Sequence, residues 1–254
     1  MLILLPPSEG KAPHGAGPSL DLGALSFPEL TSAREKVLDA LDRLVKGPPQ
    51  EAMAVLGLSP GQAGELDRNR DLRAAAALPA SRLYTGVLYD NLGLASLDAR
   101  ARRRAYNRVI VFSGLWGALR LTDRVPPYRL SMGVRLPPLG GLAAYWRPSL
   151  REVLDGRKGM IVDMRSSTYA QAWQPGPRAV TVRVLRESAG ARTVVSHMAK
   201  ATRGAVARSL VESGEDPRDP QELAEVLAGL GHATELGAAP PKGGPRVLDV
   251  VIRS

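Results

Sequence analysis

No cysteine occurs in the 254 residues, so disulfide bonds, thiol catalysis and thiolate-bound zinc are excluded. Histidine is nearly as scarce: His14, His197 and His232 are the full set, none at ligand spacing from another and none beside a carboxylate-rich cluster. A metal-dependent enzyme is therefore not expected, and the sequence calls for no cofactor. Aromatic residues make up only 4% of the chain. That leaves Leu, Val and Ala to build the core, and it argues against base stacking on single strands as a main binding mode. No apolar run approaches the roughly 20 residues needed to span a bilayer. The opening MLILLPP has no basic residues before its apolar stretch and prolines directly after it, unlike a signal peptide. The expectation is a soluble, cytoplasmic protein without a membrane partner.

What is present is apolar content of 44%, enough for a sizeable core, and a net charge of +9. The charge is concentrated. Between residues 100 and 135, Arg100, Arg102, Arg103, Arg104, Arg108, Arg120, Arg124, Arg129 and Arg135 stand against the single acid Asp123. Such a field favours polyanions: nucleic acid, or small phosphorylated or carboxylated ligands. The length alone leaves one large domain or two merged units open.

Apolar runs punctuated by Gly and Pro predict an α/β organisation. Buried strands are expected at Met1–Leu5, Arg108–Phe112 and Gly159–Met164, and further strands at Ala179–Arg186, Thr193–Val195, His232–Leu236 and Val247–Ile252. Helical periodicity predicts Glu29–Val45, with Val37, Leu38, Leu41, Leu44 and Val45 on one face, and helices at Leu142–Leu154, Ser196–Glu212 and Gln221–Leu230. A helix capped by Ser96 or Asp98 runs to about Asn107 and puts Arg100, Arg103 and Arg104 on one face. Two short helices, Gln50–Leu56 and Gly61 to roughly Ala77, flank the turn at Gly57–Pro60. That pattern is compatible with a helix-hairpin-helix, in which backbone N–H groups around Gly57 approach a DNA phosphate, and equally with a plain helical hairpin.

The most unusual stretch is Ser113–Leu136, SGLWGALRLTDRVPPYRLSMGVRL, which reads as an irregular segment delivered by a buried strand. Pro126 and Pro127 stiffen the backbone before Tyr128. It is either a site loop presenting arginines and a tyrosine, or a solvated basic loop. Ser8, Glu9 and Lys11 follow the first strand in a Gly/Pro-rich loop without Walker spacing. Asp163, Arg165, Ser166, Ser167 and Tyr169 follow the strand at Gly159–Met164. At the start of the later helix His197 and Lys200 lie about 60° apart, with Arg203 about 60° beyond. Three strand ends and one helix start thus release hydroxyls or basic groups, as the rim of a crevice in an open α/β sheet does. Candidate catalytic residues are Ser8, Lys11, Ser166, Tyr169, His197 and Lys200. Candidate ligand- or DNA-binding residues are Gly57, Arg100, Arg103, Arg104, Arg120, Tyr128, Arg129, Arg135, Lys200 and Arg203. No metal ligands are assigned.

Five pieces together, LLPPSEGK, LYTGVLY, VFSGLWGALRLTDRVPPYRLSMGVRL, VDMRSSTYAQAW and VVSHMAKATRGAVAR, resemble the peroxide stress protein YaaA family over essentially the whole chain. The opening PPSEGK differs from the SPAK-type opening of better-known members, with Ser8 and Lys11 at hand to supply the equivalent groups. The resemblance implies a single mixed α/β (α+β) domain over 1–254, of unusual topology, with a central sheet, flanking helices, a basic cleft and a helix-hairpin-helix within about 50–73. It implies protection of DNA during hydrogen peroxide stress, limitation of free iron, and binding of duplex or branched DNA without sequence specificity. The cleft would be lined from Ser8, Lys11, Tyr84, Ser113, Arg120, Tyr128, Arg129, Arg135, Ser166, Ser167, Tyr169, His197, Lys200 and Arg203. With so few ligands for a metal, any effect on iron would be indirect. Two functions are expected to compete: a DNA-binding stress protein, and an enzyme acting on a small anionic or nucleotide-like substrate in a pocket of Ser, Tyr, Lys, His and Arg. An enclosed pocket would favour the second, an open groove the first.

Overall fold

The computed structural model describes residues 1–188, 191–194, 196–241 and 243–253, apart from the side chains of residues 194, 196 and 197. Its centre is a mixed sheet of eight strands: β1 Leu2–Leu5, β2 Val109–Ser113, β3 Gly117–Arg120, β4 Ile161–Asp163, β5 Ala179–Ser188, β6 Ala191–Val194, β7 Thr234–Leu236 and β8 Arg246–Arg253. The spatial order is β7-β8-β5-β4-β1-β2-β3, with β6 paired to β5. The strands from β8 to β2 run parallel, while β3, β6 and β7 are antiparallel to their neighbours. Besides a single turn at Ala80–Leu83, the α-helices among the described residues are α1 Thr31–Lys46, α2 Pro49–Leu56, α3 Val87–Leu92, α4 Ala99–Arg108, α5 Leu142–Leu154, α6 Ser167–Ala170, α7 Ser196–Ser213 and α8 Pro220–Gly229. No helix among the described residues is long and apolar enough to cross a membrane.

The mixed α/β architecture expected from the apolar runs is observed. Ile3, Leu4 and Leu5 are fully buried, as are Val109, Ile110, Val111 and Phe112, so the middle strands read as continuous apolar runs, not as alternating ones. The chain leaves β1 for β2 on one side and returns to β4 on the other side of β1, pairing Leu4 with both Ile110 and Asp163. The connections therefore diverge at β1, and the carboxyl ends of β4, β1 and β2 lie side by side, the place where open sheets form a crevice.

Two expectations change. Ser113–Leu136 is neither irregular throughout nor a solvated loop. Gly117–Arg120 doubles back as β3, pairing Ser113 with Gly117, and Val125–Tyr128 is buried. Trp116, Ala118, Leu119 and Leu121 supply the apolar surface that draws this stretch inward. The stretch expected as a helix from Gly61 to about Ala77 is instead a 3₁₀ segment, Pro60–Asn69, which begins at a proline and contains Gly61 and Gly64. Gly57 does cap α2 in the left-handed conformation at φ 66°. A helix-hairpin-helix with two α-helices around it is not confirmed.

Candidate functional site

A cavity of about 490 Å³ opens at the carboxyl ends of β1 and β4. Its walls come from Pro6–Lys11 after β1, Thr85–Tyr89 at the start of α3, Arg129–Ser131, Ser166 and Tyr169 after β4, and Lys200 and Arg203 on α7.

Local folding explains each wall. Lys11 is held by antiparallel pairing to Tyr84, with Ala12 N–H donating to Leu83 O at 2.8 Å and Thr85 N–H to Gly10 O at 3.2 Å. The Ser8 hydroxyl donates to Gly10 O and accepts from Thr85 N–H, closing the loop on itself. Lys11 Nζ donates to Ser8 O at 2.8 Å and lies 4.6 Å from the Tyr128 ring centre and 5.8 Å from that of Tyr84. Burial, reinforced by the guanidiniums of Arg129 and Arg68 and only partly offset by Glu65 and Glu9, pushes the Lys11 ammonium down to about 8.

The Arg129–Ser131 wall is seated from two sides. A Cβ on Gly114 would stand 2.8 Å from Leu130 O and from the Ser131 carbonyl carbon, so only glycine lets this segment cross the end of β2. Asn69, buried, pairs with the Arg129 backbone as a peptide group would: Nδ2 donates to Arg129 O and Oδ1 accepts from Arg129 N–H, both at 2.8 Å. Nothing in the sequence marked Asn69, which sits among charged residues at the end of the 3₁₀ segment.

Beneath the cavity lies a buried hydroxyl chain. Ser113 Oγ accepts from Leu115 N–H at 3.2 Å and Trp116 N–H at 3.0 Å, so its own hydrogen goes to Tyr128, 2.7 Å away. Tyr128 in turn donates to Tyr84 across 2.9 Å. Burial raises Tyr84, Tyr89 and Tyr128 well above the ordinary phenol range, which keeps them protonated donors and not bases. Tyr89 donates to Pro6 O at 2.8 Å, fixing the first loop from below.

At the end of β4 the polar groups divide between structure and site. Asp163 and Arg165 form a buried bidentate pair, 2.8 and 2.6 Å, with the guanidinium packed 4.2 Å from the Phe112 ring centre. Arg203, opposite, is lowered by burial and partly restored by the Asp163 charge; its Nε is buried without a hydrogen-bond partner. Among the described residues, the side chains of Arg129, Lys200 and Arg203 make neither a hydrogen bond nor an ion pair. Glu9 is the only carboxylate among the described lining residues.

The candidates therefore separate. Ser8, Lys11, Arg129, Ser166, Tyr169, Lys200 and Arg203 line one cavity, and Tyr84, Tyr128 and Ser113 lie buried below it. Ser167 is the exposed first residue of α6 and stands outside the lining. The side chain of His197 lies outside the described residues. Arg120 is elsewhere, donating to Asn107 O and packed 5.6 Å from the Phe27 ring centre; Arg135 is exposed on a short bridge to Gly141. Arg100 and Arg103 are exposed, whereas Arg104 turns inward and donates to Val211 O and Glu212 O at 2.6 and 2.7 Å, where the carbonyls of the α7 terminus need partners. Glu9, Thr85 and Ser131 are lining residues that sequence reasoning did not assign.

Comparison with known proteins places this geometry in a lineage. The chain is 53% identical to a UPF0246 protein of Streptomyces coelicolor, over 99% of this chain and 98% of that one. It is 42% identical to a UPF0246 protein of Corynebacterium efficiens over 93% of this chain and 95% of that one, and 39% identical to one of Corynebacterium glutamicum over 92% and 95%. The family model described as peroxide stress protein YaaA matches residues 1–233, and with it the cavity segments from Pro6 to Arg203: the chain belongs to the peroxide stress protein YaaA family.

Proposed function

We propose that the chain serves the peroxide stress role of its family by binding, and acting on, a small multiply charged anion of the phosphorylated or nucleotide-like class. One observation carries this: Lys11, Arg129, Lys200 and Arg203 face a single cavity in which, among the described residues, Glu9 is the only counter-charge and three of them have no partner. Desolvating like charges together is unfavourable unless a ligand supplies the opposite charge. The cavity's volume, about 490 Å³, suits a small ligand and does not admit a duplex. The apolar Pro6, Pro7, Leu88 and Leu130 offer a wall for an uncharged moiety.

Titration calorimetry with inorganic pyrophosphate and with nucleoside mono-, di- and triphosphates tests the reading. Arg129→Ala and Arg203→Ala are each expected to weaken binding about tenfold or more, the loss of charge-assisted hydrogen bonds worth about 1.5–3 kcal/mol. Arg43→Ala, exposed on α1, leaves it unchanged. Absence of binding by every one of these anions defeats the proposal.

A second reading, attachment to the DNA backbone, is supported by the net charge of +9 and by exposed Arg100 and Arg103 on α4. These groups lie apart from the cavity lining, so the two readings are separable.

A further inference from the structure

We propose that Lys11 is the reactive amine of the cavity, and that the substrate class is a phosphorylated carbonyl compound whose phosphate is held by Arg129, Lys200 and Arg203 while Lys11 Nζ adds to its carbonyl carbon. The proposal rests on the anion reading above and gives it a reaction.

Lys11 differs from an ordinary phosphate-binding lysine. Lys200 is exposed, as a charge meant only to attract an anion is; Lys11 sits inside the wall, on backbone pinned to Tyr84 and with Nζ tethered to Ser8 O. Among the described residues no carboxylate makes an ion pair with it. The faces of Tyr128 and Tyr84 lie below the amine, Arg129 and Arg68 press on it with like charge, and Glu65 and Glu9 answer more weakly. Desolvation beside other cations is the standard means of making a lysine nucleophilic near neutral pH, and here the ammonium gives up its proton at about 8. One N–H remains bonded to Ser8 O, which orients the lone pair.

In the step itself, the Nζ lone pair forms a C–N bond at the carbonyl carbon, the C=O π pair moves to oxygen, and the two protons that the nitrogen gives up pass to that oxygen. Loss of that oxygen as water gives an imine. Amine and carbonyl become imine and water, with nothing oxidised or reduced. The tyrosine hydroxyls, protonated by their burial, stabilise the setting without serving as bases.

Pyridoxal 5′-phosphate is the probe, with borohydride donating hydride to fix the imine as a stable secondary amine, followed by peptide mass mapping. Lys11 is expected to carry the label about tenfold faster than the exposed Lys36, Lys46 and Lys158, with half-maximal labelling near pH 8. Pyrophosphate protects it, pyridoxal without the phosphate shows no preference for it, and Arg203→Ala slows labelling about tenfold. Lys11→Arg keeps the positive charge and loses the label.

Label spread evenly over surface lysines, or concentrated on Lys200, overturns the proposal. Should pyrophosphate bind while Lys11 stays unmodified, the reactive amine falls and the anion site stands. Equal labelling of Lys11 by pyridoxal and its phosphate, unprotected by pyrophosphate, overturns the substrate class. If pyrophosphate and the nucleotides fail to bind at all, the functional reading beneath the proposal fails with it.

Discussion

Arg34, buried, and Lys11, half-buried, are two cations treated in opposite ways. Arg34, with no exposed surface, spreads its donors over Ser26 O, Phe27 O, Trp116 O and Ala118 O at 2.8–3.3 Å, and so ties the start of α1 to the β2–β3 turn. Lys11 has one carbonyl and two ring faces. The sign of its contribution follows from its lowered value. Between about 8 and 10.5 the unfolded chain holds a proton that the folded chain has lost, so stability rises with pH across that window; below 8 the full cost of burying the ammonium is present. Lys11→Met is therefore expected to be more stable than the parent at pH 7, by on the order of 2 kcal/mol, while losing reactivity. The advantage shrinks as pH approaches 10.5. Chemical denaturation at pH 7 and pH 10 reads it; a variant less stable at both refutes the assignment of Lys11 as a destabilising buried charge.

At the scale of elements, the close contact of α7 with α3 brings Lys200 and Arg203 to the same cavity as Thr85–Tyr89. A Cβ on Gly204 would meet Leu88 O at 2.2 Å, so Gly204→Ala must push the two helices apart. We expect a loss of about 1–3 kcal/mol in stability and a weaker anion affinity together, because the same displacement moves both walls. Asn69→Ala makes the complementary case: it strips two hydrogen bonds from the Arg129 backbone, costing about 1–3 kcal/mol, and should lower pyrophosphate affinity more than a core substitution of equal thermal effect. Calorimetric affinity set against melting temperature separates the two effects.

Elements were legible where one physical signal dominated. The apolar period fixed α5 at Leu142–Leu154 to the residue, and continuous apolar runs marked β1, β2 and β4. Gly117–Arg120 escaped because a four-residue strand beginning at glycine and ending at arginine has neither length nor alternation. The crevice was legible through strand ends, since parallel strands converge their carboxyl termini by topology. Arg120 and Arg135 were assigned by sequence proximity to Arg129, and proximity along the chain is lost once β3 turns away. Asn69 acts across 60 residues on a backbone group, which leaves no local pattern.

At the scale of the molecule, the charge of +9 is not pooled at one surface. Arg104, Arg108 and Arg124 are occupied with backbone carbonyls, Arg183 and Arg192 with carboxylates. If DNA is a partner, Arg100 and Arg103 carry it. A double Arg100→Ala, Arg103→Ala variant should lower the slope of log affinity against log salt by about 2, with Arg203→Ala leaving that slope alone. An unchanged slope in the double variant removes α4 as the DNA footprint.

β1 lies inside the sheet, yet its two partners stand far along the chain, beginning at Val109 and Ile161. An apolar ribbon, LILL, thus waits with both hydrogen-bonding edges unsatisfied until those later partners have been synthesised. Closing two such long loops is slow relative to forming α1 or the β2–β3 hairpin. The nascent chain therefore passes through a stage in which finished helices surround an unfinished centre, the stage at which a cell's chaperones would find it.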